Sequence, residues 1–139
     1  EPPGCGMAIW GNKGYTPEFV DGLLQETARD THHAWMAFAS MVNAAETAYI
    51  QGVDLYGEEG ERIMAAMEFQ GQYLKPNNRP WPEHLEFALN PTWEIAYNHF
   101  HNRKGNNLPK IGAVIPTNRP TGTNHHIIWE TLTHGEMGN

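Results

Sequence analysis

Proline positions divide this chain into stretches that can form long helices and stretches that cannot. No proline occurs between Pro17 and Pro76 or between Pro91 and Pro109, whereas prolines recur at positions 76, 80 and 82 and again from 109 onwards. A proline inside a helix removes a hydrogen bond and clashes with the preceding turn. The sequence therefore predicts helices in the two proline-free stretches, joined and flanked by loops.

The first proline-free stretch predicts two helices. Thr16 and Pro17 have the form of an N-cap followed by proline at the first helical position, and an interrupted helical pattern continues to about Gln51, with Gly52 as the C-cap. A second helix is predicted over 58–74. Apolar residues recur at three- and four-residue spacings, as on a helix packed against a core. They are Trp35, Phe38, Met41, Val42, Ala45, Ala48 and Tyr49 in the first helix, and Ile63, Met67 and Leu74, with Gln70 among them, in the second.

The second proline-free stretch predicts a third helix. Asn90 and Pro91 repeat the cap-and-proline pattern, and the helix is expected to run to Lys104, with Gly105 as its left-handed terminator. The remaining segments are predicted to lack helices: 1–15 is an N-terminal loop, 75–81 an extended connection, and 106–139 an irregular tail in which 126–133 forms a short strand or ordered coil.

Composition excludes several classes of protein. A chain of 139 residues that is 40% hydrophobic and 18% charged is expected to form one globular domain. Its 9 Lys and Arg residues against 16 Asp and Glu residues provide no concentrated basic surface for nucleic acid, and no apolar run is long enough to span a membrane. Cys5 has no partner for an internal disulfide. Because the chain begins at Glu1 without Met or a signal peptide, we expect a fragment or a processed product.

A first group of candidate residues lies near the start of the first predicted helix. Glu26, Arg29, Asp30 and His33 follow the spacing i, i+3, i+4 and i+7, which places a carboxylate, a guanidinium and an imidazole on one helical face. An exposed, solvated face would show the same spacing. The aromatic run that follows favours partial burial, where these groups need partners.

A second group lies on the third predicted helix. Glu94, Tyr97 and His101 share one face, and His99 is spaced to pair with Arg103 at i+4. A capped surface helix with Tyr97 in the core is the alternative interpretation. A tyrosine beside histidine and arginine can nevertheless act as a base, because positive charge favours its ionised form.

Eight histidines in one small domain suggest a metal site as an alternative. They include the adjacent pairs at 32–33 and 125–126. Adjacent histidines on a helix point in different directions, however, and the chain has no His-Glu-x-x-His motif and no cysteine pair. A small His-rich metal-binding helical protein stays an alternative, and no metal or cofactor is predicted.

Three motifs, in order along the chain, resemble the alginate lyase family, the polysaccharide lyases that act on alginate and glucuronan. The first is Glu-x-x-Arg-Asp-x-x-His at 26–33, and the second is Gly-Val-Asp-Leu-Tyr-Gly at 52–57. The third is Trp-Glu-Ile-Ala-Tyr-Asn-His-Phe at 93–100, followed by Asn-Arg-Lys-Gly at 102–105. The match covers most of residues 10–134.

The resemblance implies an all-α fold in which helical hairpins form part of an incomplete (α/α) toroid, with inner helices lining a substrate cleft. The family's catalytic domain is longer than this chain, which corresponds to its C-terminal portion. The cleft is therefore expected to need completion, either by a second polypeptide carrying the N-terminal half or by a homo-oligomer.

The resemblance also implies an activity, namely cleavage of a polyuronate, either alginate or glucuronan, by β-elimination without a cofactor. Such an enzyme is expected to be secreted, or periplasmic in a bacterium, and to bind an acidic polysaccharide. A non-catalytic carbohydrate-binding remnant of the same fold is the alternative. The implied base and acid are His33 and Tyr97 in either order, and the implied substrate-binding residues are Glu26, Arg29, Asn98, His99 and Arg103.

Overall fold

The structure is a computed structural model that describes residues 20–28, 30–81, 83, 87, 92–120 and 129–135. These residues form helices and no strand, so the described part of the chain is all-α. None of its helices is long and apolar enough to cross a lipid bilayer. The elements are α1 (Thr31–Ile50), α2 (Leu55–Gly71), α3 (Glu94–Tyr97), α4 (Pro109–Val114) and α5 (Glu130–His134), with 3₁₀ turns at Gln25–Ala28 and Ile115–Thr117 and a π-helical turn at Asn98–Arg103.

Helix α1 begins at Thr31, well after the predicted start at Thr16. Asp30 has an extended backbone, with φ −171° and ψ 158°, and its side chain accepts a hydrogen bond from the backbone N–H of His33 at 2.8 Å. Asp30 is therefore the N-cap of α1. The predicted continuous helical face from Glu26 to His33 is wrong, because Glu26 belongs to the separate 3₁₀ turn before this cap.

Helices α1 and α2 form a helical hairpin. Gly52 follows the end of α1 with φ 85°, which confirms its predicted place at the C-terminus of the helix. Helix α2 begins a turn earlier than predicted, because the side chain of Asp54 accepts a hydrogen bond from the backbone N–H of Gly57 at 2.8 Å. The two helices are antiparallel, since Gln70 near the end of α2 contacts Thr27 just before α1.

The core lies between this hairpin, α3 and α4. The predicted stripes are confirmed, since most of their members are buried and Met41 packs beside them, whereas Tyr49 at the end of α1 is exposed. The ring centroids of Trp35 and Trp93 are 5.2 Å apart and join α1 to the residue before α3. The largest side chains buried in this core are Trp35, Phe38, Tyr56, Ile63, Met67, Trp93 and Ile111.

The third predicted helix is present, in two forms. It begins as α3 at Glu94, continues as the π-helical turn from Asn98 to Arg103, and ends at Gly105, whose φ of 75° fits the predicted left-handed terminator. The predicted caps at 90 and 91 lie outside the described residues. Short π-helical turns within helices are frequent at functional sites.

Residues 106–139 are not uniformly irregular as predicted, because α4 and α5 form there. The Glu68 carboxylate accepts hydrogen bonds from the backbone N–H groups of Lys110 and Ile111, at 3.1 and 3.0 Å, and so caps α4. Glu130 begins α5, where a strand or coil was expected, and its carboxylate accepts a hydrogen bond from the Glu94 N–H at 3.0 Å. Partners distant in the sequence therefore stabilise both short helices.

The connection after α2 contains turns, so the prediction of an extended segment over 75–81 is wrong in its first half. The backbone N–H of Asn78 donates to Leu74 O at 3.0 Å, and that of Arg79 donates to Gln72 O at 2.9 Å. These bonds fold the chain back after α2. The prolines of the segment exclude a helix but not a turn.

Candidate functional site

His33 and Asp30 form a hydrogen-bonded pair at the start of α1. The Nδ1 atom of His33 lies 2.8 Å from both carboxylate oxygens of Asp30. The His33 side chain is 36% exposed, while that of Asp30 is 10% exposed. Because the same carboxylate caps the helix, the N-terminus of α1 fixes the position of the imidazole. The arrangement leaves Nε2 as the ring nitrogen that can exchange a proton.

Two of the predicted binding residues lie just before this pair in the chain. Glu26 is half-buried in the 3₁₀ turn Gln25–Ala28. Arg29 lies outside the described residues, so its predicted role stays a prediction. The N-cap at Asp30 separates Glu26 from α1, so Glu26 does not continue the helical face of α1.

Tyr97 is packed between the end of α3 and α4. Its ring stacks on that of His101, with centroids 4.7 Å apart and an angle of 24° between the planes. Its hydroxyl oxygen lies so close to Gly112 that a Cβ atom there would approach it to 2.9 Å. The His101 ring is in turn held by the carbonyl of Asn106, 2.8 Å from Nδ1. The contacts with His101 and Gly112 thus fix the position of the Tyr97 ring.

A buried carboxylate, Glu46, joins four elements near the end of α1. It accepts a hydrogen bond from the Tyr56 hydroxyl at 3.0 Å and two from the Arg103 guanidinium at 3.0 and 3.3 Å. His134 Nε2 lies 3.4 Å from the same carboxylate. We refer to Glu46, Tyr56, Arg103 and His134 as the Glu46 cluster.

The Glu46 cluster perturbs the titration of its own members. Burial alone would raise the pKa of Glu46, but the hydrogen bonds from Arg103 and Tyr56 outweigh it and lower that pKa below its ordinary value. Burial, assisted by the Glu46 charge, raises the pKa of Tyr56 far above its ordinary range. At neutral pH the cluster therefore holds an ionised Glu46 and a protonated Tyr56.

His99 is enclosed by aromatic rings beside this cluster. It is 2% exposed, stacks on Tyr56 with centroids 3.8 Å apart, and meets the Tyr49 ring edge-on at 4.9 Å. Burial, with smaller effects from Arg103 and Lys104, lowers the pKa of His99. The imidazole is therefore neutral at physiological pH, and its Nδ1 has no hydrogen-bond partner among the described residues.

Asn98 is engaged within the protein. Its side-chain amide donates to the carbonyl of His134 at 3.1 Å and so fixes the end of α5. Arg103 is also engaged, since it binds Glu46 and lies over the Tyr49 ring at 5.2 Å. Both residues thus have structural partners in addition to their predicted contact with substrate.

The structure separates the predicted catalytic and binding residues into two regions. His33 lies in the first turn of α1 and Tyr49 in its last, and at a rise of 1.5 Å per residue they are about 24 Å apart along the helix. His99 contacts Tyr49, and Arg103 contacts Glu46. His99 and Arg103 therefore lie at the opposite end of α1 from His33, and their role in substrate binding stays a prediction.

Two buried carboxyl groups, those of Glu94 and Glu130, anchor α5 to α3. Glu94 Oε1 accepts hydrogen bonds from Arg119 Nε and Thr131 Oγ1, both at 2.9 Å, while Glu130 binds the backbone at the start of α3. Burial, ahead of repulsion from Glu94, raises the pKa of Glu130 to about 8. Glu130 is thus largely protonated at neutral pH.

The predicted site residues did not include Glu46, Glu130 or His134. Glu46 stands on the apolar stripe of α1, and a carboxylate in that position is itself a signal of a buried partner. His134 gives no comparable signal, because it meets Glu46 across 88 positions of sequence. The sequence gives no signal for the contact of Glu130 either, since its partner Glu94 lies 36 positions away.

Comparison with known proteins does not add to this geometry. No protein-family model matches the chain, and no curated protein or solved structure matches it. Within the described residues, no group of three or more His, Cys, Asp or Glu side chains is arranged to hold a metal ion. The contacts of the side chains are therefore the basis for a proposed function.

Proposed function

We propose that the chain is a polysaccharide lyase that cleaves a polyuronate, alginate or glucuronan, by β-elimination. The observation that carries the proposal is the Asp30–His33 pair, in which a half-exposed imidazole is held through Nδ1 by a more buried carboxylate. A base oriented in this way by a third group is the arrangement that proton abstraction needs. The family resemblance supplies the substrate class.

In this proposal Asp30 acts as a positioning residue. A carboxylate that accepts the Nδ1–H fixes the tautomer of the ring, so that the Nε2 lone pair faces outward as the base. His33 is a catalytic residue because its Nε2 would touch the sugar. It removes the proton at C5, the electron pair left behind forms the C4=C5 double bond, and the C4–O4 bond breaks.

Two further groups complete the elimination. Tyr97 is the proposed acid and gives its hydroxyl proton to O4 of the leaving sugar. Arg29, with Glu26 orienting it, is proposed to neutralise the uronate carboxylate, which makes the C5 proton acidic enough to remove. The N-terminus of α1 adds a positive partial charge at the same place.

The proposed enzyme has the α1–α2 hairpin as one unit of an incomplete (α/α) toroid. A cleft for a polymer would then need helices from a second polypeptide or from a homo-oligomer. Because the polymer lies outside the cell, secretion belongs to the same proposal.

The test follows the unsaturated product by its ultraviolet absorbance when the chain is incubated separately with polymannuronate, polyguluronate and glucuronan. We expect an increase with one polymer, and a loss of about 10²–10⁴-fold in turnover for His33→Gln, the usual contribution of a general base. His32→Gln is the matched control, since this neighbour is also half-buried in the first turn of α1, and it is expected to keep its activity. Circular dichroism establishes that each variant is folded.

Equal activity in His33→Gln and the unaltered chain would contradict the assignment of His33 as the base. Tyr97→Phe tests the acid, and it is expected to lose turnover while polymer binding persists.

A non-catalytic carbohydrate-binding protein is the second candidate. The observation that favours it is the engagement of Asn98 and Arg103 by His134 and Glu46 within the protein. It predicts polymer binding without product, and a Tyr97→Phe variant that binds as well as the unaltered chain.

A further inference from the structure

Helix α5 packs with a polar side chain toward the core and its large apolar side chains toward solvent. Trp129, just before the helix, and Leu132 within it are 57% and 69% exposed, whereas Glu130 is 2% exposed. A helix on a protein surface ordinarily buries its apolar face. The attachment of α5 therefore depends on polar contacts and gains little from the burial of apolar side chains.

Side-chain hydrogen bonds attach α5 to α3 and α1. The Glu130 carboxyl group accepts a hydrogen bond from the Glu94 N–H at 3.0 Å, and Thr131 Oγ1 donates to Glu94 Oε1 at 2.9 Å. At the other end of the helix, His134 Nε2 lies 3.4 Å from Glu46 Oε1. Contacts of this kind depend on the charge and protonation of the groups that make them.

The contact with α3 places two carboxyl groups beneath α5. Glu94 is paired with Arg119, whose Nε atom lies 2.9 Å from Oε1, while Glu94 Oε2 is buried without a hydrogen-bond partner among the described residues. Burial, ahead of repulsion from Glu94, raises the pKa of Glu130 to about 8. Loss of the Glu130 proton would place a second negative charge here, where Arg119 balances one.

The other titratable and charged groups around α5 have partners of their own or the wrong charge. Arg103 of the π-helical turn binds Glu46 of α1, and His134 lies beside the same carboxylate. Tyr56 of α2 has a pKa far above its ordinary range, and the Glu130 charge contributes to that shift. Within the described part of the chain, none of these groups offsets a charge on Glu130.

We propose that α5 is a pH-dependent strap, which covers Glu94 while Glu130 is protonated and detaches from α3 once Glu130 is ionised. Detachment would return the Glu130 carboxylate to water and free the Asn98 amide, which donates to the His134 carbonyl in the attached state. The pH would thus control access to this face of α3. The strap requires no lyase activity and is independent of the proposed function.

Hydrogen exchange of the whole chain measures the detachment. The backbone N–H groups of Thr133 and Gly135 donate to Trp129 O and Thr131 O within the α5 segment, and so short a helix is unstable once detached. Because the pKa of Glu130 is about 8 in the attached strap against 4.5 for an ordinary glutamate, attachment is expected to weaken about 100-fold between pH 6 and pH 9.

The readout is the protection of these two amides, corrected for the intrinsic pH dependence of exchange and followed by mass spectrometry after pulsed labelling. Their protection is expected to fall by about 100-fold from pH 6 and to be nearly lost at pH 9. Amides in the middle of α1 are expected to stay far more protected than those of α5 at both pH values, because they exchange only when the core opens.

Three variants assign the change to its cause. Glu130→Gln carries a neutral side chain at every pH, so its α5 amides are expected to be equally protected at pH 6 and pH 9. Glu58→Gln, an exposed glutamate of α2, is the matched control and is expected to keep the full change. His134→Gln removes the other titratable group of α5 and is expected to keep most of it.

The proposal is overturned if the α5 amides of the unaltered chain change in protection by less than about threefold between pH 6 and pH 9. It is also overturned if Glu130→Gln keeps the change or if His134→Gln abolishes it. Equal protection of the α1 and α5 amides would show that both exchange by global unfolding, which would likewise exclude a strap that detaches by itself.

Discussion

At the scale of single residues, the pKa values of two buried carboxyl groups are shifted in opposite directions. Glu46 is surrounded by donors and stays ionised, whereas Glu130 is desolvated beside Glu94 and holds its proton. Both lie in helices and both are less than a tenth exposed. The difference arises from their partners, because within the described part of the chain a guanidinium lies within hydrogen-bond distance of Glu46 but not of Glu130.

Glu130 is expected to make the fold less stable as the pH rises. Its pKa is about 8 in the folded protein against 4.5 for an ordinary glutamate, so between these values the unfolded chain has lost a proton that the folded chain keeps. The free energy of unfolding therefore falls with rising pH, by at most about 1.4 kcal/mol per pH unit from this group. Glu130→Gln is expected to reduce that slope, measured by urea unfolding at several pH values. Glu58→Gln, an exposed glutamate of α2, serves as the control, and an unchanged slope in Glu130→Gln would contradict the prediction.

At the scale of elements, the ends of the helices depend on single side chains. The side chain of Asp30 caps α1, that of Asp54 caps α2, and that of Glu68 caps α4. Each accepts a backbone N–H that the helix itself cannot satisfy. The boundary of an element is thus decided by one carboxylate, and a substitution there tests it.

Asp30 separates the cap of α1 from the orientation of His33. Asp30→Ala removes the cap and is expected to lower the free energy of unfolding by about 1 kcal/mol, whereas Asp30→Asn keeps a good N-cap and stays within about 0.5 kcal/mol. Both variants are expected to lose the proposed lyase activity, because neither has the carboxylate that holds Nδ1. Denaturant midpoints and product absorbance measure the two effects. If Asp30→Asn is as unstable as Asp30→Ala, the pair with His33, not the cap, stabilises this end of the helix.

Local patterns predicted the long helices but not their starts or the short helices. The apolar stripe of α1 follows from side-chain spacing alone, and Trp35 and Val42 are buried as expected. Thr16 and Asp30 are both good N-caps, and no local rule chooses between them. Helix α4 needs Glu68, which is 42 positions before Lys110, so its existence depends on a contact that spacing cannot reveal.

The sequence likewise predicted one part of the candidate site but not the arrangement of the rest. The sequence placed His33 beside Asp30 at i+3, and the structure pairs them. It placed His99 and Arg103 with His33 only through a family resemblance. Their separation follows from the length of α1 and from the antiparallel packing of the hairpin, which are properties of the assembled fold.

At the scale of the whole molecule, the Glu46 cluster joins α1, α2, the π-helical turn and α5. Glu46→Gln is expected to lower the free energy of unfolding by about 1–3 kcal/mol at pH 7, because it removes the charge that Arg103 binds. The pKa of Glu46 is lowered in the folded state, so its contribution is present above about pH 4.5 and is lost as the pH falls. The two chains are therefore expected to converge in stability at acidic pH.

The control for this comparison is Glu59→Gln. Glu59 pairs with Arg62 at 3.1 Å, but both side chains are largely exposed. Such a pair contributes about 0–1 kcal/mol. Urea unfolding at pH 7 and in acid compares the variants, and a constant difference between Glu46→Gln and the unaltered chain would show that the carboxylate's charge is not the cause.

The π-helical turn at Asn98–Arg103 affects how this helix would respond to the loss of one residue. A turn of this kind holds one residue more than an ordinary helical turn while the segments on either side keep their direction. We therefore expect the helix to accommodate the loss of one residue there by returning to α geometry. Elsewhere in a helix, one residue fewer rotates everything that follows by about 100°. Among the helices that the structure describes, this turn is thus where we expect a deletion of one residue to disturb the core least.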